Sequence, residues 1–324
     1  MTSKIKWGII GPGKIANKFA EALQNVEGAE LYAVASRSVE KANEFAQKHN
    51  AQRSYGSYEE LVLDSSVDMV YVATPHAFHK EHTLLCLNNK KPVLCEKPLA
   101  HKYSNVKAMV EASIANNTFL MEAMWTRFLP PVNKAMELIT SGHIGQVKNL
   151  TADFGFNSPF DAKGRLYDMK LGGGSLMDVG VYPLFLATVV LGEPLELKAH
   201  AVLSETGADK ECTIKLNYKT AEATIFSSIV KDTKKEAVIE GSEGKLTFIS
   251  PWYRQTSLIL KRHDGKSQEY KFDYAGNGFE PQIVEAMNCV KENKIESKLM
   301  PHKFSLLQSK ILDDICNQCG IVYP

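Results

Sequence analysis

The side chains best suited to proton chemistry stand at three places in this sequence. Pro92-Val93-Leu94-Cys95-Glu96-Lys97-Pro98-Leu99 reads as an apolar strand that stops on a Glu-Lys-Pro corner. Charges in such a run are rarely buried unless paired or used, which makes Lys97 a candidate acid/base rather than a solvated strand-end lysine. A lysine ammonium or a tyrosine hydroxyl can take or return a hydroxyl proton once its pKa is drawn toward neutrality. Asp178 and Tyr182 are four apart in a segment that reads as helix, which would place both on one face, aimed at one substrate oxygen. His76 and His79 follow the end of another apolar strand, and each can also be read as an ordinary helix-start histidine.

The elements that must position these groups begin at once. The strand from Ile5 to Ile10 enters Gly11-Pro12-Gly13-Lys14-Ile15-Ala16, and a helical pattern follows. This is G-x-G-x-x-A between strand and helix: Gly11 and Gly13 let the backbone turn tightly against a pyrophosphate, and the helix start at Lys14 and Ile15 supplies free N–H groups. The second strand, Glu30 to Ala35, ends in Ser36-Arg37-Ser38, where an NAD site would place a carboxylate. A guanidinium flanked by hydroxyls suits a ribose 2′-phosphate, so NADP is the expected cofactor; a solvated Arg opening the helix from Val39 to His49 is the alternative.

The apolar strand from Asp68 to Ala73 runs into Thr74-Pro75-His76-Ala77-Phe78-His79. Ligands of a doubly wound sheet lie over the carboxyl ends of its strands, which brings Thr74, Pro75, His76, His79, Glu96 and Lys97 toward the cofactor. A helix from Tyr103 to Ala115 and a strand from Thr118 to Met124 complete this domain, placing the boundary near residue 122. The expectation is a dinucleotide-binding domain over 1–122, a Rossmann parallel sheet, and an α+β substrate-binding domain over 123–324.

In the second part, eight strands between Val147 and Phe272 alternate polar and apolar residues across turns, as in an open, mainly antiparallel sheet. Between the first two lies Gly172-Gly173-Gly174-Ser175-Leu176-Met177-Asp178, whose glycines allow close backbone approach, followed by a buried helix to Leu191. Trp125 and Arg127 are candidate substrate-wall residues, an aromatic face and a hydroxyl donor, with packing as the alternative; Phe154 and Phe156 join them. Pro281 to Glu292 and Lys303 to Cys319 read as two amphipathic helices.

Composition narrows the function classes. At 324 residues the chain is long enough for two cores. Thirty-eight basic against 37 acidic residues leave a net charge of +1, so no global field recruits nucleic acid or an anionic membrane. No apolar run reads as long enough to span a bilayer and the start shows no signal peptide, so a cytoplasmic protein is expected. Six scattered cysteines suit reduced thiols. Cys316-Asn317-Gln318-Cys319 alone has metal or redox spacing, without a second pair, and no metal is expected.

Gly11-Pro12-Gly13-Lys14-Ile15-Ala16, the Ala73-Thr74-Pro75 turn with His79, and Cys95-Glu96-Lys97-Pro98-Leu99 together resemble the glucose-fructose oxidoreductase / inositol dehydrogenase (Gfo/Idh/MocA) family over nearly the whole chain. Glu122-Ala123-Met124-Trp125-Thr126-Arg127-Phe128 is similar to its trans-dihydrodiol dehydrogenase / NADP-dependent D-xylose dehydrogenase branch. The family often has His where Tyr182 stands and Asp where Phe185 stands, which argues against an inositol-dehydrogenase type of site. The resemblance implies an NADP-dependent oxidoreductase acting on a sugar or cyclic diol, and a homodimer formed through the C-terminal sheet. In that reading Lys97 is the principal acid/base, more easily deprotonated beside a cationic nicotinamide. Tyr182 shares its proton, and Asp178 holds a substrate hydroxyl. A catalytically silent NADP sensor is the competing reading; an NAD-linked polyol dehydrogenase is disfavoured by Arg37.

Overall fold

The computed structural model describes residues 4–254, 256–273 and 276–324. The chain opens as alternating strands and helices: β1 (Ile5–Ile10), α1 (Lys14–Leu23), β2 (Ala29–Ala35), α2 (Val39–His49), β3 (Arg53–Tyr55), α3 (Tyr58–Leu63), β4 (Met69–Val72), α4 (His79–Asn88), β5 (Val93–Glu96), α5 (Tyr103–Asn116) and β6 (Leu120–Ala123). The six strands form one parallel sheet in the order β3-β2-β1-β4-β5-β6. Such a sheet is covered on both faces, which is why β4 and β5 are buried at every position. Phe19 of α1 anchors the helix to the sheet, its ring stacked 3.7 Å from Tyr71 of β4 and set edge-on to Trp7 of β1.

Local chemistry fixes the helix ends. Ser38 caps α2, its hydroxyl accepting from the Lys41 N–H, and Asn50 ends that helix in the left-handed region at φ 58°. Ser57 does the same for α3. At Gly13, by contrast, α1 begins with no side-chain cap on its first N–H groups and no acidic residue in its first turn.

The second sheet follows α6 (Pro130–Thr140). It comprises β7 (Val147–Gly155), β8 (Glu196–Leu203), β9 (Asp209–Asn217), β10 (Glu222–Ser228), β11 (Ala237–Gly241), β12 (Gly244–Phe248), β13 (Leu258–Arg262) and β14 (Ser267–Tyr270), with α7 (Val181–Leu191) between β7 and β8. Its order is β14-β13-β12-β11-β7-β10-β9-β8. Every pair is antiparallel except β7 with β10. The register lines up Leu216, Ala223, Leu150, Ile239, Leu246 and Leu260 as one buried row, and α7 packs on this face. On the other face Lys215, Thr224, Thr151, Val238, Thr247 and Ile259 align as a partly exposed row. The apolar segment Met169–Leu191 is long enough by length and composition to span a bilayer, contrary to the sequence reading; 83% of its most apolar 18-residue stretch is buried inside the protein, as a core helix is.

The chain ends in α8 (Glu280–Lys291) and α9 (His302–Cys319). The compact units are Met1–Trp125 with Ala275–Ser309, and Thr126–Tyr274 with Lys310–Pro324. A single cut near residue 122 therefore does not describe them. The reason lies in β6, whose outer edge needs partners from far along the chain: the Leu120 N–H donates to the Ile295 carbonyl, and the Leu120 carbonyl lies 3.0 Å from His302 Nε2.

Candidate active site

The first unit carries an open cradle at the end of β1. Gly11 has φ +89°, and a Cβ there would strike Thr74 Cγ2 at 2.9 Å and the Ala73–Thr74 backbone at 3.0 Å. Gly13 faces open space, and Gly13 and Lys14 are exposed with Ile15 half-buried. An uncapped helix start behind two glycines leaves N–H donors for an anion, so these residues fit a dinucleotide pyrophosphate. At the end of β2 no carboxylate stands. Arg37 is exposed, its guanidinium 5.8 Å above the Phe78 ring and close enough to Tyr58 to act on its hydroxyl. Ser36 is buried and its hydroxyl accepts from the Ser38 N–H, while the Ser38 hydroxyl donates to Glu40 as it caps α2.

Beyond β4, Thr74 and His79 form a packed corner with Pro75 between them. His79 is fully buried, one ring nitrogen 2.8 Å from the Thr74 carbonyl and the other 2.8 Å from the Pro98 carbonyl. Burial lowers its pKa to about 4, the neighbouring Lys97 charge adding to the effect. As neutral imidazole it donates one of those bonds, and it ties the end of β4 to the Glu-Lys-Pro corner. His76 is half-buried, its ring 5.6 Å from that of His79 and 6.1 Å from that of His101.

Lys97 follows β5 and is only 9% exposed. Two carboxylates, Glu96 and Glu122, are buried near it. Glu96 Oε1 accepts from the Tyr71 hydroxyl, and Oε2 accepts from the Lys97 N–H. Glu96 is thus turned into the protein. Glu122 Oε1 accepts from the Leu99 N–H at 3.1 Å and Oε2 from the Ser305 hydroxyl at 2.6 Å. Burial pushes the Glu122 carboxyl up; its hydrogen bonds from Ser305 and Leu99, and to a lesser extent the charge of Lys97, offset part of this. Trp125 is buried and stacks on Phe279 at 5.3 Å.

The second unit gathers Asp178 and Tyr182, but not on a regular helix. Leu176–Gly180 forms one wide π-helical turn that runs into α7, so the even i, i+4 face expected from the sequence is broken. Buried Asp209 of β9 holds the start of that turn: its Oδ2 accepts from Ser175 Oγ at 2.6 Å and from the Leu176 N–H at 2.8 Å. At its end, a Cβ on Gly180 would come within 2.9 Å of Ser227 Oγ. Asp178 and Tyr182 both lie beside Arg165, whose guanidinium grips Asp178 at 2.6 Å (Nη1–Oδ1) and 3.3 Å (Nη2–Oδ2). Partial desolvation disfavours the Arg165 cation, but Asp178 and Tyr182 outweigh it and hold the group above its usual range.

Aromatic rings flank this cluster. Phe154 lies 5.4 Å from Tyr182 and stacks at 3.8 Å on Tyr253, which is 5.8 Å from Tyr182. Phe156 stands outside these ring contacts among the described residues, its N–H bonded to the Ser228 carbonyl. Arg127 donates to Asn133 of α6 at 2.8 Å. Sequence reasoning missed Arg165, Tyr253 and Asp209. Arg165 sits thirteen residues before Asp178 in an irregular segment, and neither period nor motif marks it.

Residues 5–123 match the family described as "Oxidoreductase family, NAD-binding Rossmann fold", and residues 132–247 match the "GFO/IDH/MocA C-terminal domain". The chain is 36% identical to trans-1,2-dihydrobenzene-1,2-diol dehydrogenase of Xenopus laevis, over 98% of this chain and 99% of that one. It is 35% identical to the scyllo-inositol 2-dehydrogenase (NADP(+)) IolU of Bacillus subtilis, over 99% and 98%. Among solved structures, the fold superposes on the 3-ketoreductase KijD10 of Actinomadura kijaniata in complex with NADP and TDP-benzene (TM-score 0.88, 23% identity, 98% of both chains). It superposes equally on the aldose-aldose oxidoreductase of Caulobacter crescentus (TM-score 0.89, 23% identity, 98% of both chains). With a nucleotide cradle in its first unit and full-length likeness to dehydrogenases, the chain belongs to the Gfo/Idh/MocA family and is an NAD(P)-dependent oxidoreductase.

Proposed function

We propose that this protein is an NADP-dependent dehydrogenase that moves hydride between the nicotinamide and a hydroxyl-bearing carbon of a sugar or cyclic diol. The observation that carries the proposal is a lysine, Lys97, nearly buried at a strand end and close enough to the buried Glu122 carboxyl to act on its charge. Bound NADP+ supplies the hydride acceptor. Gly11, Gly13 and the start of α1 would hold its pyrophosphate, and Arg37 its 2′-phosphate. The carbinol carbon gives up its hydrogen with the electron pair, and its hydroxyl proton leaves to Lys97; reduction returns that proton to the new alkoxide. Tyr182 shares the proton-handling role, and Asp178 accepts from a substrate hydroxyl. Likeness to diol and inositol dehydrogenases supports this substrate class.

The cofactor preference rests on the Arg37 guanidinium and on the missing carboxylate at the end of β2. A homodimer through the open face of the second sheet is part of the proposal, since the row from Lys215 to Ile259 is two-sided in character, polar at one end and Val/Ile at the other. A cytoplasmic location is proposed with it.

The test offers NADP+ or NAD+ with aldoses, deoxy sugars and cyclic trans-diols and follows absorbance of reduced nicotinamide, with Lys97→Ala in parallel. Turnover with NADP+, falling by about 10²–10⁴-fold in the variant while NADPH still binds, supports the reading. Tight NADPH binding with no turnover of any substrate overturns it in favour of a nucleotide sensor.

A further inference from the structure

The Gly172-Gly173-Gly174 run reads in the sequence as room for a close approach to the backbone, and the structure shows side chains of the same unit making that approach. Gly174 has φ +124°, and a Cβ there would collide with Asp209 Oδ1 and come within 3.3 Å of the Tyr323 hydroxyl. Tyr323 is 4% exposed, and its hydroxyl donates to the Gly173 carbonyl at 3.1 Å across 150 residues of chain. Burial raises its pKa well above the usual tyrosine value, so the hydroxyl keeps the proton that makes this bond.

The segment that delivers Tyr323 is itself anchored. Gln318, in the last turn of α9, accepts from the Ala199 N–H at 3.0 Å and donates to the Leu197 carbonyl at 3.1 Å, which fastens the helix end to the edge strand β8. Gly320 turns the chain at φ +67°, and the Ile321 N–H donates to the Cys316 carbonyl at 2.9 Å. Ile321 and Tyr323 are buried, while Val322 between them is 78% exposed. A loose segment shows neither such anchors nor such alternation.

Resting on the dehydrogenase reading above, we infer that Tyr323 is a positioning residue for catalysis: its hydroxyl fixes the glycine run and, through it, the turn that carries Asp178 and Tyr182. Glycines with left-handed φ at 172 and 174 make a joint that stays loose unless it is held from outside. On the far side of the joint Asp209 Oδ2 holds Ser175 and Leu176, and Ser175 Oγ lies 2.9 Å from Ser227 Oγ. Within the joint the Gly173 and Gly174 N–H groups donate to the Asp168 and Leu166 carbonyls, and Tyr323 takes the Gly173 carbonyl. The wide turn Leu176–Gly180 then starts from one place, which sets where Tyr182 meets substrate. A displacement of about 1 Å at such a group costs up to about a hundredfold in rate.

The experiment measures kcat and KM for wild type, Tyr323→Phe, Tyr182→Phe and the double variant, with NADP+ and whichever sugar or diol turns over best. Y323F keeps the ring and removes the bond. Its kcat should fall about tenfold while KM for NADP+ stays within about twofold, and its Tm should drop by no more than about 2–4 °C. In the Y182F background the same change should cost less than about twofold in kcat, because it acts through Tyr182. Tyr323→4-aminophenylalanine, which restores a donor, should recover most of the lost kcat. If Y323F fails to fold, amide exchange of the wild type decides: residues 174–180 and 321–323 should open at the same urea concentration, and a turn that opens independently of Tyr323 overturns the inference. A Y323F kcat equal to wild type, or an equal loss with and without Tyr182, overturns it while leaving the dehydrogenase reading intact. A wild type idle with every substrate overturns both together.

Discussion

In the proposed reading the choice between two cofactors falls to one side chain, Arg37. Its guanidinium rests between Tyr58 and the Phe78 face with no carboxylate beside it to bind a ribose diol. Charge-assisted bonds to a phosphate contribute about 1.5–3 kcal/mol, so Arg37→Ala should raise KM for NADP+ by about ten- to a hundredfold and move that for NAD+ less than twofold. Initial rates with the two cofactors check this, and an equal loss on both would refute it. Gly11 is a second residue with a defined cost. Alanine there would take a left-handed φ and drive its methyl into the Thr74 backbone, so Gly11→Ala should destabilise the first unit by about 1–2 kcal/mol and weaken NADPH binding, read by urea denaturation and fluorescence titration.

Much of the element level could be read from the sequence. Val39–His49 and Tyr58–Leu63 are the observed bounds of α2 and α3, because a serine hydroxyl caps each start and the apolar period is clear. The eight later strands also lie where alternation puts them, since one face of their sheet is buried and the other is not. What could not be read was set by partners distant in sequence. The parallel pairing of β7 with β10 carries no local signal, and neither does the wide turn at Leu176–Gly180, which depends on Asp209 some thirty residues later. Asp209 gives that turn a pH dependence. Burial raises its pKa to about 6 against an ordinary 3.8. The fold therefore binds the extra proton: the stability Asp209 contributes is fully present below about pH 3.8 and is lost as pH rises through 6, about 3 kcal/mol in all. Asp209→Asn should accordingly gain on wild type by that amount between pH 4 and pH 8. Paired urea titrations at the two pH values would show it, and a constant difference would count against an ionised Asp209.

At the scale of the molecule, acid works in the opposite direction through the histidines of the first unit. Burial holds His79, His82 and His101 at about 4 against an ordinary 6.5. Their folded forms are neutral while the unfolded chain takes up protons, so stability is full above pH 6.5 and falls as the pH drops toward 4. His79, fully buried, accounts for about 3 kcal/mol of that loss. The urea midpoint of tryptophan fluorescence should decline across this window, and replacing His82 by Phe should flatten the slope; an unchanged slope would remove His82 from the account.

The seam along β6 also dictates an order of manufacture. A ribosome delivers Glu122 long before Ser305, and Leu120 long before Ile295 and His302. Until residues 295–305 are released, the carboxylate beside Lys97 lacks its hydroxyl donor and the β6 edge lacks these partners. The nucleotide-binding unit therefore draws on residues translated long after its own strands, and a fragment ending at residue 125 should unfold at lower urea than the whole chain because its β6 edge lacks these partners.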